Sequence, residues 1–259
     1  MNAPIRKTKI VCTMGPNLFE KHLIAPLMKA GMNVARFNFS HGTYETHQHY
    51  YDEVCRIRDE LGLPVATMLD TKGPEIRVRS FKNGHVTLQN GQLFTLTTDE
   101  VEGDEERVSI TYKELPQDIA VGSSILIDDG LIGMQVERID GADIVCRVLN
   151  GGVVSNNKGV NIPNAHLSMP FISEKDHQDI LFAIKNGYDF IAASFTRCAD
   201  DIMQIRHILQ ENNCHTINII AKIENMEGVE NIDEILRVVD GVMLPVMEDG
   251  SSYGRRSDG

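Results

Sequence analysis

The sequence predicts an α/β fold in which parallel βα units are interrupted by a small all-β module. Three observations predict it. Apolar runs of strand length alternate with helical stretches up to Asp70, short β-branched segments separated by turn pairs occupy the region between Gly73 and Pro170, and the strand–helix rhythm then returns. This order describes an insertion into one α/β domain rather than two domains in series.

The first strand runs from Lys9 to Thr13, and a helix follows with Leu23, Leu27 and Met28 on one face and a stop at Gly31. Pro26 is expected to shorten or bend that helix. Met32 to Phe39 reads as the second strand, and Tyr50, Val54, Ile57 and Leu61 recur at the spacing of a helical face. A third strand, Pro64 to Leu69, ends at Asp70. In the inserted region the runs 85–88, 92–98, 107–112, 123–127, 134–139 and 143–149 are strands, punctuated by Asn83-Gly84, Asn90-Gly91 and Asp129-Gly130. Beyond Pro170, Ser173-Glu174-Lys175-Asp176 resembles a capping box and opens a helix that stops at Gly187. Phe190–Ser194 is the fourth strand of the βα series, Ile202, Ile205 and Leu209 mark the next helix, and Ile217–Ile223 is the fifth strand. Ile232, Ile235 and Leu236 mark a fifth helix, and Gly241–Leu244 opens a sixth strand. Periodicity alone leaves two arrangements open, a doubly wound sheet and part of an eight-stranded barrel.

Composition bounds the function. In 259 residues, 37 acidic and 25 basic side chains give a formal charge of −12, which argues against a nucleic-acid or anionic-membrane binder. An anionic substrate would need a local basic pocket. Cys12, Cys55, Cys146, Cys198 and Cys214 are odd in number and have no C-x-x-C spacing, so neither a disulfide framework nor a zinc site is expected. The N-terminal apolar run is too short for a signal peptide or an anchor, and the expected location is the cytoplasm.

Parallel βα folds place their chemistry at the carboxyl ends of the strands. The second strand ends in Arg36-Phe37-Asn38-Phe39-Ser40-His41-Gly42, the third in Asp70-Thr71-Lys72-Gly73-Pro74-Glu75-Ile76-Arg77, and the fifth in Lys222-Ile223-Glu224-Asn225. Carboxylates with Asn, Ser and Thr oxygens suit Mg2+ or an alkali cation, and Arg36, Lys72, Arg77 and Lys222 suit phosphate oxygens. Such a set fits phosphoryl transfer, which asks a protein for positioning and charge neutralisation. Singly, each residue has a plainer role: a strand-end Arg or Lys as a surface charge, His41 as a solvent-facing ring, Asp200 and Asp201 as helix-dipole partners. The joint arrangement carries the signal.

The runs MNVARFNFSHG, MLDTKGPEIR, NKGVNIP, AASFTR and AKIENMEGVENIDEI, in this order, resemble the pyruvate kinase family over residues 5 to about 243. The resemblance implies an incomplete (β/α)8 TIM barrel of five to six βα units over 1–72 and 171–244, with an inserted small β-barrel lid domain over 73–170. It also implies phosphoryl transfer from phosphoenolpyruvate to ADP giving pyruvate and ATP in glycolysis, Mg2+ and K+ as activators, and a homotetramer. By motif, Arg36 resembles the contact to the substrate phosphate, and Asn38, Ser40, Asp70 and Thr71 resemble the K+ ligands. Glu75 matches a residue tied to K+ dependence. Asn38, Phe39, Ser40 and His41, with Arg77 and Lys158, resemble the nucleotide-binding set, Lys222 the transition-state stabiliser, and Glu224 a Mg2+ ligand.

The sequence departs from the family after Met243, where LPVMEDGSS stands in place of an Ala-Arg-Gly-Asp segment that supplies a second Mg2+ carboxylate. The departure resembles a frameshift or a truncation, residues 245–259 read as a disordered tail, and the expectation is a poorly stable chain of little turnover. Two other functions are compatible with parts of the sequence: a remnant that only binds nucleotide or phosphoenolpyruvate, and a barrel enzyme of carbon–carbon chemistry. The inserted module and the NFSH run count against the latter.

Overall fold

The computed structural model describes residues 7–128, 130–163, 165 and 167–245. Along the chain, β1 (Val11–Thr13) leads through α1 (Pro16–Glu20) and α2 (Ile24–Ala30) to β2 (Val34–Asn38), and α3 (Tyr44–Leu61) leads to β3 (Ala66–Asp70). The inserted stretch holds β4 (Ile76–Arg77), β5 (His85–Leu88), β6 (Leu93–Thr97), β7 (Arg107–Ser109), α4 (Leu115–Asp118), β8 (Ser124–Ile127), β9 (Ile132–Asp140), β10 (Asp143–Val148), β11 (Gly152–Ser155) and β12 (Gly159–Asn161). Then α5 (Glu174–Asn186), β13 (Phe190–Ala193), α6 (Ala199–Glu211), β14 (Asn218–Lys222), α7 (Met226–Glu230), α8 (Ile232–Ile235) and β15 (Gly241–Met243) complete the described chain.

Two compact units result, one of 1–73, 172–224 and 228–259, the other of 74–171 with 225–227. In the first, six strands form a parallel sheet in the order β1-β2-β3-β13-β14-β15. Each strand pairs with the one from the next βα unit, and the order never reverses. A doubly wound sheet reverses direction at a switch point, whereas a barrel adds strands in one direction. The fold is therefore an incomplete (β/α)8 barrel. Its β3 and β13 pair directly, Leu69 opposite Ile191 and Asp70 opposite Ala192, although the inserted unit separates them in sequence.

The local chemistry explains the helix boundaries. Ser173 accepts from the Asp176 amide while the Asp176 carboxylate accepts from Ser173, a reciprocal cap that opens α5, and Gly187 at φ +68° closes it. Thr43 caps α3 by accepting from the Thr46 amide, and Gly62 closes it. The first predicted helix is two pieces, broken around His22 at φ +51°, and Pro26 sits harmlessly in the first turn of α2. The fifth predicted helix is the short α8, with Ile235 buried and Leu236 exposed at its C-cap, and a further short helix, α7, precedes it.

The second unit holds a seven-stranded sheet, β4-β12-β8-β9-β10-β6-β7, and a separate two-stranded sheet, β11-β5, whose Val86, Leu88 and Val154 join the same apolar core. Alternate residues such as Phe94 and Leu96 of β6, and Ile125 and Ile127 of β8, fill one apolar core. Of the predicted turn at Asp129-Gly130, Asp129 lies outside the described residues, as do residues 246–259 of the predicted tail.

Candidate functional site

The first unit gathers its polar side chains at the carboxyl ends of β1, β2, β3, β13 and β14. Parallel register sets this: Thr13 lies opposite Arg36, Asn38 opposite Asp70, and Asp70 opposite Ala192, which places the strand ends side by side. Asp70 is the hub, 1% exposed. Its Oδ2 accepts from Arg36 Nε at 2.6 Å and also pairs with Arg36 Nη2, a two-pronged contact that fixes the guanidinium plane. Arg36 Nη1 donates to Thr13 Oγ1 at 2.7 Å. Asp70 Oδ1 lies 3.2 Å from Lys222 Nζ, and that ammonium lies 3.1 Å from Glu224 Oε1. Glu224 Oε2 accepts from the Phe195 amide at 3.0 Å.

Ser194 closes the circuit. Its hydroxyl accepts from Lys222 Nζ at 2.9 Å and stands 2.7 Å from the Thr71 carbonyl and 3.0 Å from Asp70 Oδ1, so one hydrogen is shared between two acceptors. Its amide donates to Thr71 Oγ1 at 3.1 Å. Gly73 is needed here: at φ +69° a Cβ would stand 2.7 Å from the Ser194 carbonyl oxygen. One buried carboxylate thus holds two cations whose own side chains keep some exposure, 23% for Arg36 and 12% for Lys222. An arriving anion meets positive charge already fixed in direction.

The predicted cation ligands share this rim. Asn38 Oδ1 accepts from the Ser40 amide at 3.0 Å, and the Phe39 amide donates to the Asp70 carbonyl at 2.9 Å, which folds the loop after β2 back over the end of β3. Asn38, Ser40, Asp70 and Thr71 offer amide, hydroxyl, carboxylate and carbonyl oxygens, a hard all-oxygen set that fits an alkali cation. Glu224 offers a carboxylate that fits Mg2+, an ion that keeps much of its water shell. Among the described residues no group of three or more His, Cys, Asp or Glu side chains is poised around one metal. His41 is exposed, and its carbonyl accepts from His47 Nε2.

Other predicted residues belong to the second unit. Arg77 Nε pairs with Glu75 at 2.8 Å and its Nη1 donates to the Asn157 carbonyl, while Lys158 pairs with Asp128 at 2.9 Å. Asp201 does more than face the helix dipole, since it accepts from the Arg197 amide and guanidinium. Thr13 and Ser194 were not foreseen as site residues. Thr13 ends β1 and Ser194 directly follows β13, as Asp70 ends β3 and Lys222 ends β14, and that strand-end position was the available signal.

Residues 5–248 match the family model described as the pyruvate kinase barrel domain. The chain is 48% identical over 242 residues to a pyruvate kinase of Staphylococcus haemolyticus (strain JCSC1435) and 50% identical over 241 residues to one of Geobacillus stearothermophilus. These alignments cover 93% and 92% of this chain and 41% of each relative, so the chain spans less than half the length of the curated relatives it matches. A crystal structure of a pyruvate kinase from Cryptosporidium parvum superimposes with a TM-score of 0.85 at 39% identity, covering 92% of this chain and 50% of that one. No helix among the described residues is long and apolar enough to cross a membrane. With the monotonic strand order and the cation–carboxylate rim, these likenesses make the chain a member of the pyruvate kinase family.

Proposed function

We propose that this rim serves the transfer of the phosphoryl group from phosphoenolpyruvate to ADP, giving pyruvate and ATP. The single observation that carries the reading is the continuous chain Thr13–Arg36–Asp70–Lys222–Glu224, joined through Ser194, at the carboxyl ends of parallel strands. Phosphoryl transfer passes through a loose, highly charged transition state, and cations fixed in advance stabilise it without reorganising. Arg36 presents a planar donor to the phosphoryl oxygens, held in plane by Asp70 and Thr13. Lys222 is held by three oxygens and supplies a point charge beside the moving group. Glu224 is assigned to Mg2+, and Asn38, Ser40, Asp70 and Thr71 are assigned to K+. When bound, these ions neutralise charge on the transferring oxygens. Asn38, Phe39, Ser40 and His41 of the first unit, with Arg77 and Lys158 of the second, are assigned to the nucleotide, and Glu75 to the dependence on K+. The family's homotetramer and a cytoplasmic, glycolytic setting complete the reading.

Calorimetric titration with phosphoenolpyruvate and ADP, with and without Mg2+ and K+, tests it, with a coupled assay for pyruvate on the same material. Saturable phosphoenolpyruvate binding that Arg36→Gln and Lys222→Gln each weaken supports the assignment. Binding indifferent to both substitutions, or no binding at all, refutes it.

A further inference from the structure

We propose that His47 and Lys175 are positioning residues that clamp the loop between β2 and α3 from two different helices, so that Asn38 and Ser40 are held ready as cation ligands. The inference rests on the K+ role assigned above and goes beyond it, giving a task to two side chains outside the ion-pair network.

Two carbonyls flank Ser40, and each is held by a side chain. Lys175 Nζ, from α5, donates to the Phe39 carbonyl at 2.9 Å, and His47 Nε2, from α3, donates to the His41 carbonyl at 2.7 Å. With the Ser40 amide already on Asn38 Oδ1, the loop is pinned at three consecutive residues. Gly42, at φ +83°, passes so close to the imidazole that a Cβ there would stand 3.2 Å from His47 Nε2. The Phe39 ring stacks on the His47 ring at 4.0 Å and 10°, and Lys175 Nζ lies 5.7 Å from the Phe39 centroid.

Packing alone does not account for either residue. His47 is buried, its Nδ1 has no hydrogen-bond partner, and an apolar side chain would avoid that orphaned atom. The donating Nε2 is what an apolar replacement lacks. Lys175 pairs at 2.6 Å with Asp179, which is fully buried and accepts from the Tyr44 hydroxyl at 2.7 Å. The Lys175 side chain is 46% exposed, so an ion pair with it is worth about 1 kcal/mol or less, and the ammonium has a further use in the Phe39 carbonyl that it reaches.

The test uses hydrogen exchange of the chain resolved to residues 39–42, and thermal melts in potassium chloride against tetramethylammonium chloride at equal ionic strength. Three variants are compared: His47→Leu, Lys175→Met, and His47→Gln, whose amide keeps a donor near the Nε2 position. The expected result is loop exchange at least about tenfold faster in the first two, from the loss of a hydrogen bond of about 1.4 kcal/mol, with His47→Gln near the parent. The rise in melting temperature with K+ is expected in the parent and His47→Gln and absent in His47→Leu and Lys175→Met. Unchanged loop exchange, exchange that rises equally everywhere, or an intact K+ response in both variants would overturn the clamp. A parent chain that ignores K+ overturns the cation assignment itself and the proposal with it, and the parent trace alone distinguishes that case.

Discussion

Replacing Asp70 with alanine removes the counter-ion of two cations at once. The carboxylate is 1% exposed and accepts from Arg36, Lys222 and Ser194, while among the described residues Lys222 keeps Glu224 and Ser194 and the Arg36 guanidinium keeps Thr13. Breaking a buried pair by deleting one partner costs about 3–5 kcal/mol. Because Arg36 retains some contact with water, we place the loss near the lower end, about 3 kcal/mol. That corresponds to a fall in melting temperature of roughly 6–12 °C for a domain of this size. Circular dichroism melts of Asp70→Ala against the parent measure it, with Asp59→Ala as control. Asp59 is 74% exposed and its pair with Arg58 is expected to matter by less than about 0.5 kcal/mol. Adding Lys222→Met to Asp70→Ala should restore part of the loss, since the stranded ammonium is then gone. A fall for Asp70→Ala no larger than that of the control would refute the buried hub.

Acidification provides a second check. Burial lowers the His47 pKa below its ordinary 6.5, so from about pH 6.5 downward the unfolded chain takes up a proton that the folded chain refuses, and stability falls with pH. Asp179, raised by burial, has the opposite sign, because its folded form protonates first as the carboxylate range is approached. The parent should therefore lose more stability than His47→Gln between pH 7.5 and 5.5, and equal slopes in the two melts would contradict the buried neutral ring. Gly73→Ala should destabilise by about 1–3 kcal/mol, from positive φ and the clash with Ser194, read as a lowered urea midpoint. Ser173→Ala should cost about 1 kcal/mol through loss of the α5 cap.

The βα order was legible because apolar periodicity records which face each element buries, and the strand ends carried the site because parallel strands share one carboxyl edge. Misses have local causes. On α3 the buried face includes Tyr51 rather than Tyr50, whose ring instead stacks on Phe19 at 3.8 Å, and two adjacent tyrosines leave the phase of a helix ambiguous. The break at His22 depends on a left-handed residue that is neither Gly nor Asn, so no turn signal announced it. Strands β4, β11 and β12 are short and lie in runs rich in Gly, Asn and charged residues, such as Gly151-Gly152 and Asn156-Asn157-Lys158-Gly159, so no apolar alternation marks them. Lys175 was legible only as part of a cap, because its carbonyl partner lies 136 residues away in sequence. Ser194 closes a predicted strand and lies in the AASFTR run, but one serine at a strand end has no pattern that assigns it a role in an ion-pair network.

A crystal structure of the chain grown with phosphoenolpyruvate and Mg2+ tests the central claim most directly. The account predicts phosphoryl oxygens within hydrogen-bond reach of the Arg36 guanidinium and Lys222 Nζ, with the ion on Glu224. Phosphoenolpyruvate seated at the amino ends of the strands, or held without either cation, would contradict it.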